Sequence, residues 1–209
     1  MVNLVPTGFV IPTNQWVKAP RSDNFQYHSH LSSQYVDGLR GPLIVYDPVD
    51  PHLGLYDVDN ADTVVVLADW YHTPAIQLND QFFSDDNGGG HEPVPDSGTI
   101  NGKGRFIGGP ATPWARINVQ QGLRYRLRLI NASAYGFFTF SIAGHRLTII
   151  EVDGVNHDPL TVDFLDIHAA QRYSVIVEAN QPVNNYWIRA PMGLQHASDN
   201  DNCTFYSFG

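Results

Sequence analysis

Cysteine is nearly absent from this sequence, which contains Cys203 and no other among its 209 residues. An intrachain disulfide therefore cannot form, and a metal site built from several thiolates is excluded. Basic residues are also scarce, with 12 Lys and Arg against 21 Asp and Glu, a net charge of −9. No basic cluster with interleaved aromatics occurs, so a phosphate backbone would be repelled and no nucleic-acid partner is expected.

Long apolar runs are missing as well. No stretch approaches the roughly 20 residues that cross a bilayer, so no membrane span is expected. The first 14 residues carry Pro6 and Pro12 inside their apolar stretch and have no basic start. We therefore expect neither a membrane anchor nor a signal peptide in this sequence.

The composition is that of a folded protein, with 43% hydrophobic, 12% aromatic and 16% charged residues. From about residue 60 onward, short β-branched and aromatic stretches recur between turn signals, which is typical of all-β sandwiches and barrels. No helical period of comparable length competes with them. The predicted strands cover residues 63–68, 124–129, 138–142, 147–152, 173–177 and 186–189.

Details of these strands can also be predicted. The 124–129 strand alternates Arg with apolar residues, which favours a strand covered on one face. Ala143-Gly144-His145 is predicted to close a hairpin between the strands on either side. Residues 47–54, rich in Pro, Asp and Gly, are interpreted as a linker, and residues 84–93 as a long surface loop.

His28 and His30 are the candidate metal ligands. Residues two apart in a strand share one face, so these imidazoles are expected side by side, about 7 Å apart at ~3.3 Å per residue. That separation suits two neighbouring metal ions, each taking one imidazole, better than chelation of one ion. The alternative is that an isolated His-x-His pair is simply two surface or core histidines.

The run Tyr27-His28-Ser29-His30-Leu31-Ser32-Ser33-Gln34-Tyr35-Val36-Asp37-Gly38-Leu39-Arg40-Gly41-Pro42 resembles the end of the first cupredoxin domain of laccases, which are multicopper oxidases. Basidiomycete laccases look most similar. Segments that resemble the second laccase domain follow in the same order: 69–72, 100–105, 169–174 and 185–190. The resemblance spans roughly residues 25–202.

The resemblance implies an all-β, cupredoxin-like Greek-key β-sandwich, with one complete domain and part of a preceding one. It divides the chain into an atypical N-terminal segment (1–24), the end of a first domain with its linker (25–57), a second domain (58–202) and an atypical tail (203–209). It also makes His28 and His30 ligands of the type 3 copper pair, one to each ion. The copper cofactor is then present as a half-site.

Complete laccases oxidise phenols at a type 1 copper and reduce dioxygen to water at a trinuclear cluster. The resemblance therefore implies phenolic small molecules and dioxygen as partners, and a secreted location. The family's other histidine motifs are missing, and Cys203 has no neighbouring histidine, so it is not a type 1 ligand. We expect the isolated chain to be inactive, and to need missing domains or self-association because its first-domain strands lack partners.

Other positions depart from the family pattern or stay unassigned. Many laccases have cysteines where this chain has Val36 and Ala134, and some place a phenol-contacting acid where it has Tyr135, which is interpreted as a loop aromatic. The remaining seven histidines show no metal-ligand spacing. Two sequons, at Asn131 and Asn202, are potential acceptors in a secreted protein.

Two other functions remain open. The chain could be a non-catalytic β-sandwich that binds a partner or glycan, with His28 and His30 as relics. It could also belong to small oxidases that complete their copper sites across a trimer interface, although the missing type 1 cysteine argues against this. Because the resemblance fails upstream of Phe25 and from Cys203 onward, we expect a truncated or spliced product or an imperfect gene assignment.

Overall fold

The computed structural model of the chain describes residues 23–193. The predicted N-terminal segment 1–24, apart from its last two residues, and the tail 203–209 lie outside the described residues. So do Cys203, His196 and the sequon at Asn202. Within the described residues the secondary structure is mostly β-strand, which confirms the predicted class.

Twelve strands and one helix make up the described fold. The strands are β1 (Asp23–His28), β2 (Arg40–Val45), β3 (Val64–Trp70), β4 (Ser97–Ile100), β5 (Arg124–Asn131), β6 (Phe137–Ile142), β7 (Leu147–Val152), β8 (Val155–Val162), β9 (Leu165–Ile167), β10 (Arg172–Glu178), β11 (Ile188–Arg189) and β12 (Met192–Gly193). The helix is α1 (Ala75–Phe82). Short 3-10 turns occupy Leu53–Leu55, Ala61–Thr63 and Asp85–Asn87.

The strands form three sheets. The largest has six strands in the order β4-β3-β5-β10-β7-β8, with only β3 and β5 parallel. A second sheet is built around β6, which pairs with β9, β11 and β12. Their apolar faces share one core, to which Leu129 and Val175 contribute from the first sheet and Phe138 and Phe140 from the second. The third sheet is the antiparallel pair β1-β2.

The predicted hairpin between β6 and β7 is wrong. Across the turn Ala143-Gly144-His145, the only pairing is an isolated bridge between Ile142 and His145. Beyond it, β6 and β7 belong to different sheets. The physical reason is burial: Phe138 and Phe140 of β6, like Leu147 and Ile149 of β7, belong to the common core. Strands that bury their apolar sides in one core from opposite sheets face each other instead of pairing edge to edge.

Helix α1 was not predicted, because eight residues are too short to show a helical period. Its N-cap residue is Pro74, whose side chain makes no capping hydrogen bond. Instead, the carboxylate of Asp37 accepts the backbone N–H of Ala75 at 2.8 Å. The segment that follows the histidine pair therefore helps to begin this helix.

Strand β5 differs from its prediction in one respect. Both of its faces are covered, and Arg126 and Arg128 are 0% and 1% exposed. The face that carries the arginines lies under β1 and the 46–60 segment, from which Asp50 and Asp59 reach the two guanidinium groups at 2.5 Å each. The predicted linker does lack β-strands, but it is bound to the sheet. Buried guanidinium groups require such partners, since an unpaired buried charge is costly.

Candidate metal half-site

The two predicted ligands lie together at the end of β1. His28 is the last residue of the strand and His30 follows it, with ring centroids 4.5 Å apart and ring planes 26° apart. The rings are thus stacked and closer than the ~7 Å expected for a continuous strand. The difference arises because the pairing of β1 with β2 ends at His28 and Arg40. His30 lies beyond the paired strand, so its side chain need not keep the spacing of a continuous strand.

The neighbouring backbone fixes the tautomer of His28. Its Nδ1 lies 3.0 Å from the carbonyl oxygen of Ser29. Because a carbonyl oxygen only accepts, this hydrogen bond requires the proton on Nδ1 and leaves the lone pair on Nε2. A metal-ligating histidine has this arrangement, in which one ring nitrogen is bound to a backbone carbonyl and the other is available.

Tyr35 packs against His28 from the following turn. Its ring centroid lies 4.7 Å from that of His28, and its hydroxyl donates to the carbonyl of Ser133 at 2.8 Å. Burial raises the pKa of Tyr35, and the nearby Arg40 guanidinium opposes that effect. The hydroxyl therefore stays protonated as a donor across the neutral pH range.

Arg40 and Asp69 anchor this region to the six-stranded sheet. Arg40 donates to the carbonyls of Ala132 and Asp69, and its Nη1 lies 3.8 Å from the Asp69 carboxylate. Asp69, 1% exposed, also accepts backbone N–H groups of the 134–136 loop, at 2.8 to 3.2 Å. The Asp69 carboxylate thus fixes both the 134–136 loop and Arg40, which directly follows residues 28–39, the histidine segment.

An apolar groove of about 250 Å³ lies between the histidine segment and α1. Val36 and Ala134, predicted to replace cysteines, both line it, as does Tyr135. Tyr71 lines it too, and burial together with the negative charge of Asp69 raises its pKa.

The described residues gather no further metal ligands around the histidine pair. Within residues 23–193, no group of three or more His, Cys, Asp or Glu side chains is gathered for a metal ion. Copper sites in proteins commonly combine three or more ligands, so the pair alone would leave coordination positions open. Six further histidines are described, and none of them joins such a group: His52, His72, His91, His145, His157 and His168.

The structure corrects the prediction for one sequon. Asn131 is fully buried, and its Nδ2 donates to the carbonyls of Ile167 at 2.9 Å and Gly136 at 3.1 Å. Its Oδ1 accepts the backbone N–H of Ser133 at 2.9 Å. A glycan on this nitrogen could not coexist with the fold, so Asn131 is a structural amide.

We expect the 131-containing peptide to be unmodified when the folded chain is purified from a glycosylating host. Asn131→Ala should lower the free energy of unfolding by about 1–3 kcal/mol, because two buried carbonyls lose their donors. Peptide mass mapping and urea denaturation measure the two effects. A glycan at Asn131 in natively folded chain would contradict the assignment.

Comparisons with known proteins show which family the chain belongs to. The multicopper oxidase family model matches residues 61–207. Laccase-4 of Thanatephorus cucumeris is 66% identical over 176 residues, which cover 84% of this chain and 33% of that protein. Laccase-2 of Agaricus bisporus is 56% identical over 190 residues, covering 91% and 36%. The chain thus spans about a third of the length of these relatives.

Solved structures show the same similarity. The laccase from Botrytis aclada superposes with a TM-score of 0.74 at 34% identity, covering 90% of this chain and 34% of that one. Fet3p, a multicopper oxidase that functions in iron import, gives 0.76 at 28% identity, with the same coverages. The chain belongs to the multicopper oxidase family, and its cupredoxin-like fold is confirmed. That family consists of copper-dependent oxidoreductases.

No helix among residues 23–193 is long and apolar enough to cross a membrane.

Proposed function

We propose that this chain is the part of a laccase-type multicopper oxidase that supplies His28 and His30 to a type 3 copper pair. The stacked imidazoles, with His28 Nε2 left available by the Nδ1 bond to Ser29, carry the proposal. Copper would supply the electron transfer to dioxygen when bound. The residues of this chain hold the two imidazoles at the end of β1 and brace His28 with Tyr35.

The domain division is part of this proposal. Residues 25–57 would be the end of a first cupredoxin domain with its linker, and 58–202 a second. Strands β1 and β2 support this division, since they form a sheet separate from the other two. The buried hydrogen bonds of Asn24 to Arg128 and Ser174, at 2.7 and 3.0 Å, join that sheet to the larger unit.

The activity of the complete enzyme would be oxidation of phenolic small molecules coupled to reduction of dioxygen to water. The sequence has no cysteine flanked by histidines, so this chain alone would not accept an electron from a phenol. Its missing ligands would come from further domains or from association with other chains. Secretion is proposed from the similarity to laccases, with Asn202 as the remaining candidate for glycosylation.

The second candidate function is a non-catalytic β-sandwich in which His28 and His30 are relics. The lack of any group of three ligands within residues 23–193 favours it. The two functions differ in whether the histidine pair holds copper.

Copper loading followed by dialysis and elemental analysis should leave copper on the chain. We expect the His28→Ala/His30→Ala variant to lose it, because both imidazole ligands are gone. The matched control is His91→Ala/His157→Ala, which removes two histidines elsewhere and should retain copper. Absence of copper from the unaltered chain, or equal copper in both variants, would reject the half-site and favour the relic interpretation.

A further inference from the structure

A cavity of about 480 Å³ opens on the arginine-bearing face of the six-stranded sheet, away from the residues of the half-site. The segment from β1 to residue 60 covers Arg126 and Arg128 on this face. The cavity lies over the next part of the same face, towards β7 and β8. Its volume falls within the ~300–1,000 Å³ typical of small-molecule sites.

The floor of the cavity is one rung of side chains across three strands. Ile176 of β10 pairs in register with Thr148 of β7, which pairs with Thr161 of β8. The two threonine hydroxyl oxygens lie 3.0 Å apart, so one donates to the other. The second hydroxyl proton remains for a ligand, and Ile176 gives the floor an apolar part.

The walls add acceptors beside these hydroxyls. His145 donates from Nδ1 to the carbonyl of Ala143 at 2.9 Å, which leaves its Nε2 as an acceptor. Glu178 lines the same wall and accepts from Asn180 Nδ2 at 3.4 Å through one of its carboxylate oxygens. The lining thus presents donors and acceptors side by side around the apolar side chain of Ile176.

The charges of the cavity argue against an anionic ligand. Arg124 pairs with Asp57 at 2.8 Å, and Arg146 pairs with Asp163 at 2.9 Å. Both guanidinium groups are therefore compensated, and Glu178 adds a negative charge. A purely apolar ligand would leave the polar lining without partners, which is unfavourable. A neutral ligand rich in hydroxyl groups satisfies the mixed lining.

We propose that this cavity binds a short neutral saccharide, whose hydroxyls exchange hydrogen bonds with Thr148, Thr161 and Glu178 while a sugar face packs on Ile176. The site is separate from the copper half-site and does not depend on it.

Saturation-transfer NMR on the full chain, with cellobiose and maltose as probes and citrate as a charged comparator, tests the proposal. We expect saturation transfer to the protons of at least one disaccharide and none to citrate. Thr148→Val/Thr161→Val keeps the β-branched shape and removes both hydroxyls, so it should weaken binding about tenfold. Glu178→Gln, which keeps the side-chain size, should also weaken binding and decides the outcome if the double variant does not fold.

Thr139→Val is the matched control, since Thr139 lies on β6 in the other sheet and its hydroxyl binds Asp166. This variant should bind the saccharide as the unaltered chain does. Absence of transfer from both disaccharides at millimolar concentration would overturn the proposal. So would transfer that survives unchanged in both cavity variants, or binding of citrate in place of the sugars.

Discussion

Replacing Arg126 by methionine is expected to lower the free energy of unfolding by about 3–5 kcal/mol. The guanidinium group binds the carboxylates of Asp50 and Glu151 as well as the Ser174 hydroxyl. The side chains of Arg126 and Glu151 are each 1% exposed. Removing it leaves two buried carboxylates without their shared counter-charge. Urea denaturation followed by circular dichroism measures the loss.

Arg146→Met is the matched control for this prediction. Arg146 pairs with Asp163 on the surface, where the two side chains are 62% and 78% exposed, so the same substitution should change stability by less than about 0.5 kcal/mol. Adding Glu151→Gln to Arg126→Met should restore part of the lost stability, because one of the unpaired charges disappears. Equal losses in the two arginine variants would show that the buried network contributes little.

Replacing Asp69 by asparagine is expected to cost about 2–4 kcal/mol of stability. The carboxylate accepts three backbone N–H groups of the 134–136 loop and faces Arg40. An amide presents N–H groups where acceptors are needed and no longer compensates the guanidinium charge. Thermal unfolding measures the stability of the variant.

The Asp69→Asn variant should also retain less copper than the unaltered chain after loading and dialysis. Arg40 follows the histidine segment and depends on Asp69, and Tyr35 binds the carbonyl of Ser133 beside the loop. Loosening the loop therefore loosens the support of His28. Asp163→Asn, which alters an exposed aspartate, should change neither stability nor copper retention. Full stability of the Asp69→Asn variant would contradict the anchoring role.

The sequence predicted the features that depend on local pattern. The strands at Val64–Trp70, Arg124–Asn131, Phe137–Ile142, Leu147–Val152 and Arg172–Glu178 were all found, because runs of β-branched and aromatic residues fit a pleated sheet. Of the strand predicted at residues 186–189, only Ile188–Arg189 is strand in the structure. The family was also predicted correctly, since several separate segments in one order are more specific than any single motif.

The sequence could not reveal which strands pair. The turn at Ala143-Gly144-His145 has the chemistry of a hairpin, with Gly144 at a φ of +74°. The turn alone does not decide whether the second strand stays in the same sheet, because this depends on where the apolar side chains of both strands find a core. Helix α1 was missed for a related reason: its N-terminus is completed by Asp37, which is 38 positions away from Ala75.

For the candidate site, the residue types and their spacing were determined by the sequence, and the geometry was not. The His28-Ser29-His30 pattern predicted two imidazoles on one side of the chain, but their stacking at 4.5 Å follows from the end of the β1-β2 ladder. Likewise, the alternation of arginines in β5 predicted an exposed face. Only the tertiary structure brought Asp50, Asp59 and Glu151 to these arginines and buried them, because burial of a charge depends on partners distant in sequence.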